Sequence, residues 1–288
     1  MIEFRYEIFT KTPDYPIHLQ YGFHDADLYQ HTHGDFFELV IVLNGAAQHI
    51  VGDASYPIGK GAVFVVGNQT PHGFASPEHL TICNIMFRKD VFDTAFDIRQ
   101  LAGFQALFVL EPHYAQNYHF LSRLHLSAGA FSQAETLLNG MMQEYSGRLP
   151  GWKDAVYADF RRLCILLSRC YRTDADTAND YIKLADAVAH IEHHFNEALS
   201  LAELAAISGY SERQFLRLFR AAFSVTPNQY IAGLRVKKAQ QLLHSTALSV
   251  GEIALQCGFP DQNYFTKFFR SRTGQTPSAF RRTDRSSE

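Results

Sequence analysis

The last third of the chain carries one pattern twice. The segments LSLAELAAISGY (199–210) and LSVGEIALQCGF (248–259) share five identical positions, and their apolar residues fall in register. The match resumes, at an offset one residue larger, in SERQFLRLFR (211–220) and DQNYFTKFFR (261–270). There Phe215 answers Phe265, Phe219 answers Phe269 and Arg220 answers Arg270. Both copies close on Thr-Pro, at 226–227 and 276–277. Matches in this order predict a duplicated supersecondary unit, so this region must fold as two like modules.

Each copy is punctuated as two short helices around a tight turn. Ser200 with Glu203, Ser249 with Glu252, and Ser211 with Gln214 have the spacing of a capping box, in which Ser accepts from an N-terminal amide and Glu or Gln reaches back. Gly209 and Gly258 stand where the first helix must end, a position that favours a residue at ease with positive φ. Thr226-Pro227 and Thr276-Pro277 start a further helix, with Thr as cap and Pro in the first turn. Two short helices about a Gly-containing turn are the signature of a DNA-binding helix–turn–helix.

The second helix of each copy has two faces. Phe215, Leu218, Phe219 and Ala222 recur at helical spacing and predict a buried stripe, as do Phe265, Phe268 and Phe269. The other side carries Glu212, Arg213, Gln214, Leu216, Arg217 and Arg220 in the first copy. In the second it carries Gln262, Asn263, Thr266, Lys267 and Arg270. Arg and Lys suit guanine, Gln and Asn suit adenine, and Thr or an apolar side chain suits the thymine methyl. Between the copies, residues 228–246 read as a helix of roughly 27 Å. That length would set the two recognition helices near one DNA turn apart, about 34 Å. Arg235, Lys237 and Lys238 on it are candidate phosphate contacts.

Charge separates this region from the rest. The 288-residue chain has a formal net charge of −3. Residues 1–179 hold 13 Lys+Arg against 19 Asp+Glu, a net of −6, whereas residues 180–288 hold 13 against 10, a net of +3. From Ser211 onward the count is 12 against 5, or +7. An acidic front and a basic back predict two domains with different partners. Four cysteines without a CxxC pair fit reduced thiols. The charged start MIEFRYEIFT lacks a signal-peptide core, and no apolar run is long enough to span a bilayer. These features predict a cytoplasmic protein with no membrane partner.

The front reads as β up to about residue 87. Runs such as FELVIVL (37–43), AQHIVG (47–52) and GAVFVVG (61–67) are separated by turn residues, Asn44-Gly45, Gly52-Asp53, Gly59-Lys60-Gly61 and Asn68, as in a sandwich or barrel. From about 90 to 172 the period is helical. In 153–172 an apolar stripe of Val156, Phe160, Leu163, Leu167 and Cys170 predicts packing on the barrel or on a second copy of itself. The polar segment TDADTAND predicts a linker over 173–180. The expected division is therefore a sensor domain over 1–172, this linker, and an all-α domain over 181–288.

Within the β region lies a histidine constellation. His31 and His33, two apart on a strand, face the same side. Glu38 follows, then Gly45, and Pro71-His72 comes two strands later. Three imidazoles and a carboxylate can bind one divalent ion such as Fe, Ni, Mn or Zn. They can equally hydrogen-bond a small polar effector, or serve only as satisfied histidines in a barrel mouth. The three readings stay open on the residues alone.

The C-terminal pattern, ELAAISGYSERQFLRLFR…TPNQYI followed by EIALQCGFPDQNYFTKFFRSRTGQTPSAF, resembles the AraC/XylS family of bacterial transcription regulators. That resemblance covers about 100 residues, the order of size of one small domain. It implies two helix–turn–helix units on a linker helix, both presented to double-stranded promoter DNA, with roles for Arg213, Arg217, Gln262, Asn263 and Lys267. Three departures stand out: Ser224 where the family usually has Gly, as at Gly274; Pro260 before the second recognition helix; and the apolar Leu216 on a reading face. The front spacing HxH-x4-E-x6-G with a later Pro-His resembles the cupin signature, which implies a jelly-roll barrel. It lacks the Asn usual after the last His. The stretch from His31 to Arg88 looks most like the L-rhamnose-responsive branch.

Together these resemblances imply a sugar-sensing activator, homodimeric through helix 153–172, that works with RNA polymerase. It would have no catalytic residues and need no cofactor, with His31, His33, Glu38 and His72 binding either effector or metal. The rivals are a metal-cupin enzyme fused to a DNA-binding tail and a regulator without an effector.

Overall fold

The computed structural model of the chain describes residues 1–92, 96–112, 124–171 and 180–285. It separates into two compact units, Met1–Ala185 and Asp186–Glu288. The linker expected over 173–180 falls outside the described residues except for Asp180, which opens a helix.

The first unit is built on one sheet of eight strands: β1 (Ile2–Phe4), β2 (Ile17–His24), β3 (Leu28–His33), β4 (Phe37–Val51), β5 (Ala54–Gly59), β6 (Ala62–Val66), β7 (His72–Phe87) and β8 (Leu124–His125). The order is β1-β3-β7-β4-β6-β8, with β2 also on β7 and β5 also on β4. The long strands β4 and β7 pair antiparallel from Phe37↔Phe87 to Val51↔His72 and form the spine of the barrel. Asn44-Gly45, expected as a turn, lies inside β4. The chain runs straight through, and the pairing with β7 shifts register around Asn44 and Ala46. Gly45 has φ 75°, and a Cβ there would sit 2.3 Å from the His79 carbonyl. The Gly therefore serves a bulge that bends a long strand, not a hairpin.

The spine is buried on both sides. Val40, Val42, Val51, Phe64, Val66, Phe74 and Ile82 form the inner cluster, while the alternate residues Leu39, Ile41, Val63, Val65, Cys83 and Ile85 are buried as well. Two helices, Ala128–Gly147 and Trp152–Cys170, complete the unit. Val156, Phe160, Leu163 and Leu167 are fully buried, and the Phe160 ring lies 5.6 Å from Phe87 and 5.8 Å from Phe92. Of the two partners open to the stripe in 153–172, its own domain takes it. That overturns this stripe as a dimer contact, because burying the same apolar surface twice is impossible. Cys170, at the end of the stripe, is only half-buried.

An entry helix, Asp180–His194, whose residues from Asp186 onward belong to the second unit, leads into the duplicated modules. Each has a short first helix (Leu201–Ile207; Val250–Gln256) and a recognition helix (Glu212–Phe223; Gln262–Thr273). The rod helix Pro227–Ser245 joins them and Pro277–Arg285 ends the described chain. Phe215 and Phe219 are fully buried, as are Phe265 and Phe269. Each contributes about 1.5–3 kcal/mol relative to exposure. Phe268 is only half-buried, and lies among Phe259, Tyr264 and the Arg272 guanidinium.

The caps follow the sequence in part. Ser249 and Glu252 form both bonds of a capping box, at 3.2 and 2.7 Å. Ser200 accepts from the Glu203 amide, but the Glu203 carboxylate lies 3.3 Å from His190 of the entry helix. An opposing side chain has displaced the return bond. Ser211 likewise accepts from the Gln214 amide alone, and the box with both bonds falls at Thr226–Gln229 instead. Ser224 adopts φ 58° where the second copy has Gly274 at 79°, so the first copy carries the strain of a non-Gly residue in the left-handed region.

Candidate functional site

The barrel interior gathers the sequence-predicted histidines. His31 and His33 alternate along β3 and both turn inward, with exposures of 6% and 1%. The first residue of β7, His72, is the register partner of His31 on one side and Val51 on the other. Glu38, the second residue of β4, lies on the same inner face as Val40. The His33 and His72 Nε2 atoms lie 3.3 Å apart. The Glu38 Oε2 lies 3.6 Å from His72 Nε2 and 3.9 Å from His33 Nε2. His31 stands beside them, its ring 4.5 Å from His72 and 5.3 Å from His33. Its Nδ1 is 3.2 Å from the Tyr29 carbonyl. A carbonyl only accepts, so Nδ1 carries the proton and Nε2 presents a lone pair. Phe36 stacks on His33 at 4.3 Å, and Phe4 of the N-terminal strand packs edge-on against His31.

Burial sets the protonation here. Desolvation holds His31 below the usual imidazole range, His33 at about 3 and His72 well below it. The neighbouring imidazoles push His33 and His72 the same way. Burial raises the Glu38 carboxyl to about 8. The imidazoles are therefore neutral at pH 7, and their contacts with Glu38 are not ion pairs despite their length. Lone pairs and a carboxyl group facing inward can receive hydroxyl groups or a cation. The ligand atoms of His31, His33 and His72 all lie within 4.8 Å of one another.

Two polar residues of this interior had not been singled out. His49, fully buried, stacks on Phe64 at 4.3 Å, with its ring 5.7 Å from His72. Burial lowers it to about 3. The signal was present: Ala47, His49 and Val51 alternate on one face. Asn84 of β7 is the register partner of Val40 and Gln20, which places it one step along the inner face from Glu38. Its Oδ1 is buried without a hydrogen-bond partner, as are Nδ1 of His33 and of His72 and Oγ1 of Thr70.

The second unit presents the other sequence-predicted set. Glu212, Arg213, Arg217 and Arg220 are exposed on the first recognition helix, and Gln214 and Leu216 are half-buried. On the second, Gln262, Asn263, Lys267 and Arg270 are exposed and Thr266 is half-buried. Arg235 departs from expectation. Its Nε donates to the Phe195 carbonyl and its Nη2 to the Glu197 carbonyl, both at 2.7 Å. Its guanidinium also lies 5.9 Å from the Phe259 ring centre. It ties the rod helix to the end of the entry helix and is not a free phosphate contact.

Known proteins match this arrangement in both units. The helix–turn–helix domain family matches residues 204–283, and the AraC-like ligand binding domain family matches residues 17–140. The HTH-type transcriptional activator RhaR of Salmonella arizonae is 30% identical over 262 residues, covering 90% of this chain and 89% of that one. RhaR of an Enterobacter species is 29% identical over 259 residues, covering 89% and 88%. Among solved structures, the DNA-binding domain of AdpA in complex with a target DNA is 35% identical over 37% of this chain and 96% of that one, with a TM-score of 0.36. With its ligand-binding barrel ahead of two helix–turn–helix modules, the chain belongs to the AraC family of transcription regulators.

Proposed function

We propose that the chain is a sugar-responsive transcription activator that binds its effector inside the barrel and promoter DNA through both recognition helices. The observation that carries the effector half is the set of buried polar atoms on strand residues of the inner face, His33 Nδ1, His72 Nδ1 and Asn84 Oδ1, that the protein leaves without partners. Such atoms are costly unless something completes them, at about 1–3 kcal/mol each. A polyhydroxylated molecule offers donors and acceptors in that density, and Phe4, Phe36 and Phe64 offer apolar faces to its ring carbons. The similarity to RhaR activators supports activation; in this reading the activator works with RNA polymerase in the cytoplasm. No helix among the described residues is long and apolar enough to cross a membrane.

The regulator performs no chemistry on its effector and works by population shift. Effector binding favours one arrangement of a homodimer only as far as its affinities for the two arrangements differ. The dimer uses the outward face of the helix pair, where Leu137, Gly140, Ile165 and Leu166 line a groove with Asp159, Arg162 and Arg169 beside them. Both charge signs on one patch suit a self-complementary contact.

The test is a thermal-shift screen of free sugars, L-rhamnose included, on the full-length protein. One sugar at a hundred times its Kd stabilises by about 2.7 kcal/mol. The same sugar changes the affinity for promoter DNA in a mobility-shift assay, and Asn84→Ala or His31→Ala removes both effects. Unchanged melting and unchanged DNA affinity with every sugar would leave a regulator without a sugar effector.

A further inference from the structure

The rod helix carries both modules, and it has a weak point between them. Its first turns serve the first module, where the Tyr230 ring packs against Phe219 and Phe223 of the recognition helix. Val236, Ala239 and Leu243 belong to the core of the second. Gly233 stands in between. It is exposed, and among the described residues nothing lies within 4 Å of the place a Cβ would take. Glycine favours a helix less than any residue but proline, because its backbone loses the most freedom on folding. Neither intrinsic preference nor packing holds the rod at that turn.

Two side chains of the rod straddle Gly233 and end on one support. Tyr230 donates its hydroxyl to Glu192 Oε1 of the entry helix at 2.7 Å. Arg235 donates to the Phe195 and Glu197 carbonyls just beyond that helix, both at 2.7 Å. The same short segment meets the second module. A Cβ on Gly258 would come to 2.3 Å from the Asn196 carbonyl, and the Arg235 guanidinium lies 5.9 Å from the Phe259 ring centre. Gly209, at the matching position of the first module, meets nothing within 4 Å among the described residues. The close approach at Gly258 therefore belongs to this junction and not to the pattern the two copies share.

We infer that residues 195–197, clamped by Arg235, splint the rod at Gly233 and fix the angle between the two recognition helices. Arg235 is then a positioning residue: it sets the spacing of the two base clusters that one chain reads. The inference rests on the reading that both recognition helices enter DNA. A duplex turns once in about 10–10.5 base pairs, so one pair more or fewer turns the second groove segment by about 35° and shifts it by about 3.4 Å. A splinted pair of helices cannot follow that displacement, and a hinged pair can.

Binding-site selection on the full-length protein supplies the operator and the two base clusters that one chain contacts. The clusters are then moved one base pair closer or farther apart, and affinities for the three duplexes are compared. Losing the register of one helix forfeits several base contacts, so the wild type should prefer the selected spacing by about tenfold or more. Arg235→Gln should cut that preference to about threefold or less; a smaller folded fraction weakens all three duplexes by one factor and cancels in the ratio. Gly233→Ala, which removes the weak point, should leave the wild-type ratio unchanged and restore most of the preference when added to Arg235→Gln. Arg235→Lys, which keeps the charge without the fork, reads the same ratio if Arg235→Gln does not melt cooperatively. A ratio as high as that of the wild type in the variant that folds would overturn the splint and leave Arg235 a structural anchor. Failure of Gly233→Ala to restore the preference would overturn it too. Selection of a single base cluster per chain would instead end the two-helix reading, and the splint with it.

Discussion

The two helix–turn–helix modules are copies of one design held to different tolerances. The second is tightly built. Its first helix has a complete capping box, its recognition helix starts on Asp261, which accepts from the Tyr264 amide at 2.8 Å, and it ends on Gly274. Its turn glycine, Gly258, is pressed against the Asn196 carbonyl, which a Cβ would approach to 2.3 Å. In the first copy the caps of the first helix and the recognition helix make one bond each, its complete box coming only at Thr226 of the rod helix; it has a non-Gly residue in left-handed conformation at Ser224 and a turn glycine, Gly209, with open space around it. Their reading faces differ in the same sense. The first is dominated by Arg213, Arg217 and Arg220, while the second mixes amides, a hydroxyl and Lys267 with Arg270. A charge-rich face on a looser frame suits backbone attraction, and a hydrogen-bonding face on a stiffer frame suits discrimination between bases.

Four tests, three of them paired substitutions, break or sharpen this contrast, taken from the largest expected effect. Gly258→Ala adds a backbone clash to the cost of positive φ and should destabilise by about 2–5 kcal/mol. Gly209→Ala bears the φ cost alone, about 1–2 kcal/mol. Equal losses in denaturant melts would erase the difference in frame. Next come Arg217→Ala and Lys267→Ala, each expected to cost about 1–3 kcal/mol at the specific site and to relax selection at one base position. Binding-site selection on the two variants checks this, and unaltered preferences in both would refute the recognition faces. Ser249→Ala, which removes a complete box, should cost about 1 kcal/mol. Ser200→Ala should cost less, because the Glu203 contact to His190 survives. Smallest is Ser224→Gly, which relieves strain at the first copy and should raise stability by about 0.5–1 kcal/mol, the net of αL relief and lost chain entropy. A stability decrease would show that Ser224 is held by something other than chain geometry.

Legibility in the sequence followed how local each signal was. The two modules were readable because caps, turn glycines and the stripe of Phe215 and Phe219 act within a few residues. The barrel strands were readable as short apolar runs, but β4 was broken in two because Asn44-Gly45 has the chemistry of a turn. Only the pairing with β7, more than 30 residues away, makes it a bulge. His31, His33, Glu38 and His72 carried a spacing pattern and were found. His49 had alternation alone, and Asn84 sits in LTICNIMF, where both faces of the strand are buried and no alternation remains. The stripe on helix 152–170 was correctly seen as apolar, yet its partner was a question of tertiary packing that no periodicity answers. Arg235 looked solvated because the carbonyls it serves lie about 40 positions earlier.

That arginine has a counterpart. Arg281, on the last helix, donates to the Leu243 and Leu248 carbonyls at the far end of the rod. Both cations are already bound to the protein's own backbone before DNA arrives. Of the 12 basic residues from Ser211 onward, at most ten are therefore placed to displace condensed counterions from phosphates. The dependence of promoter affinity on salt, whose slope counts such displacements, should be shallower than the bare charge of this domain implies. Cutting either arginine to Gln should loosen the fold while leaving that slope where it was.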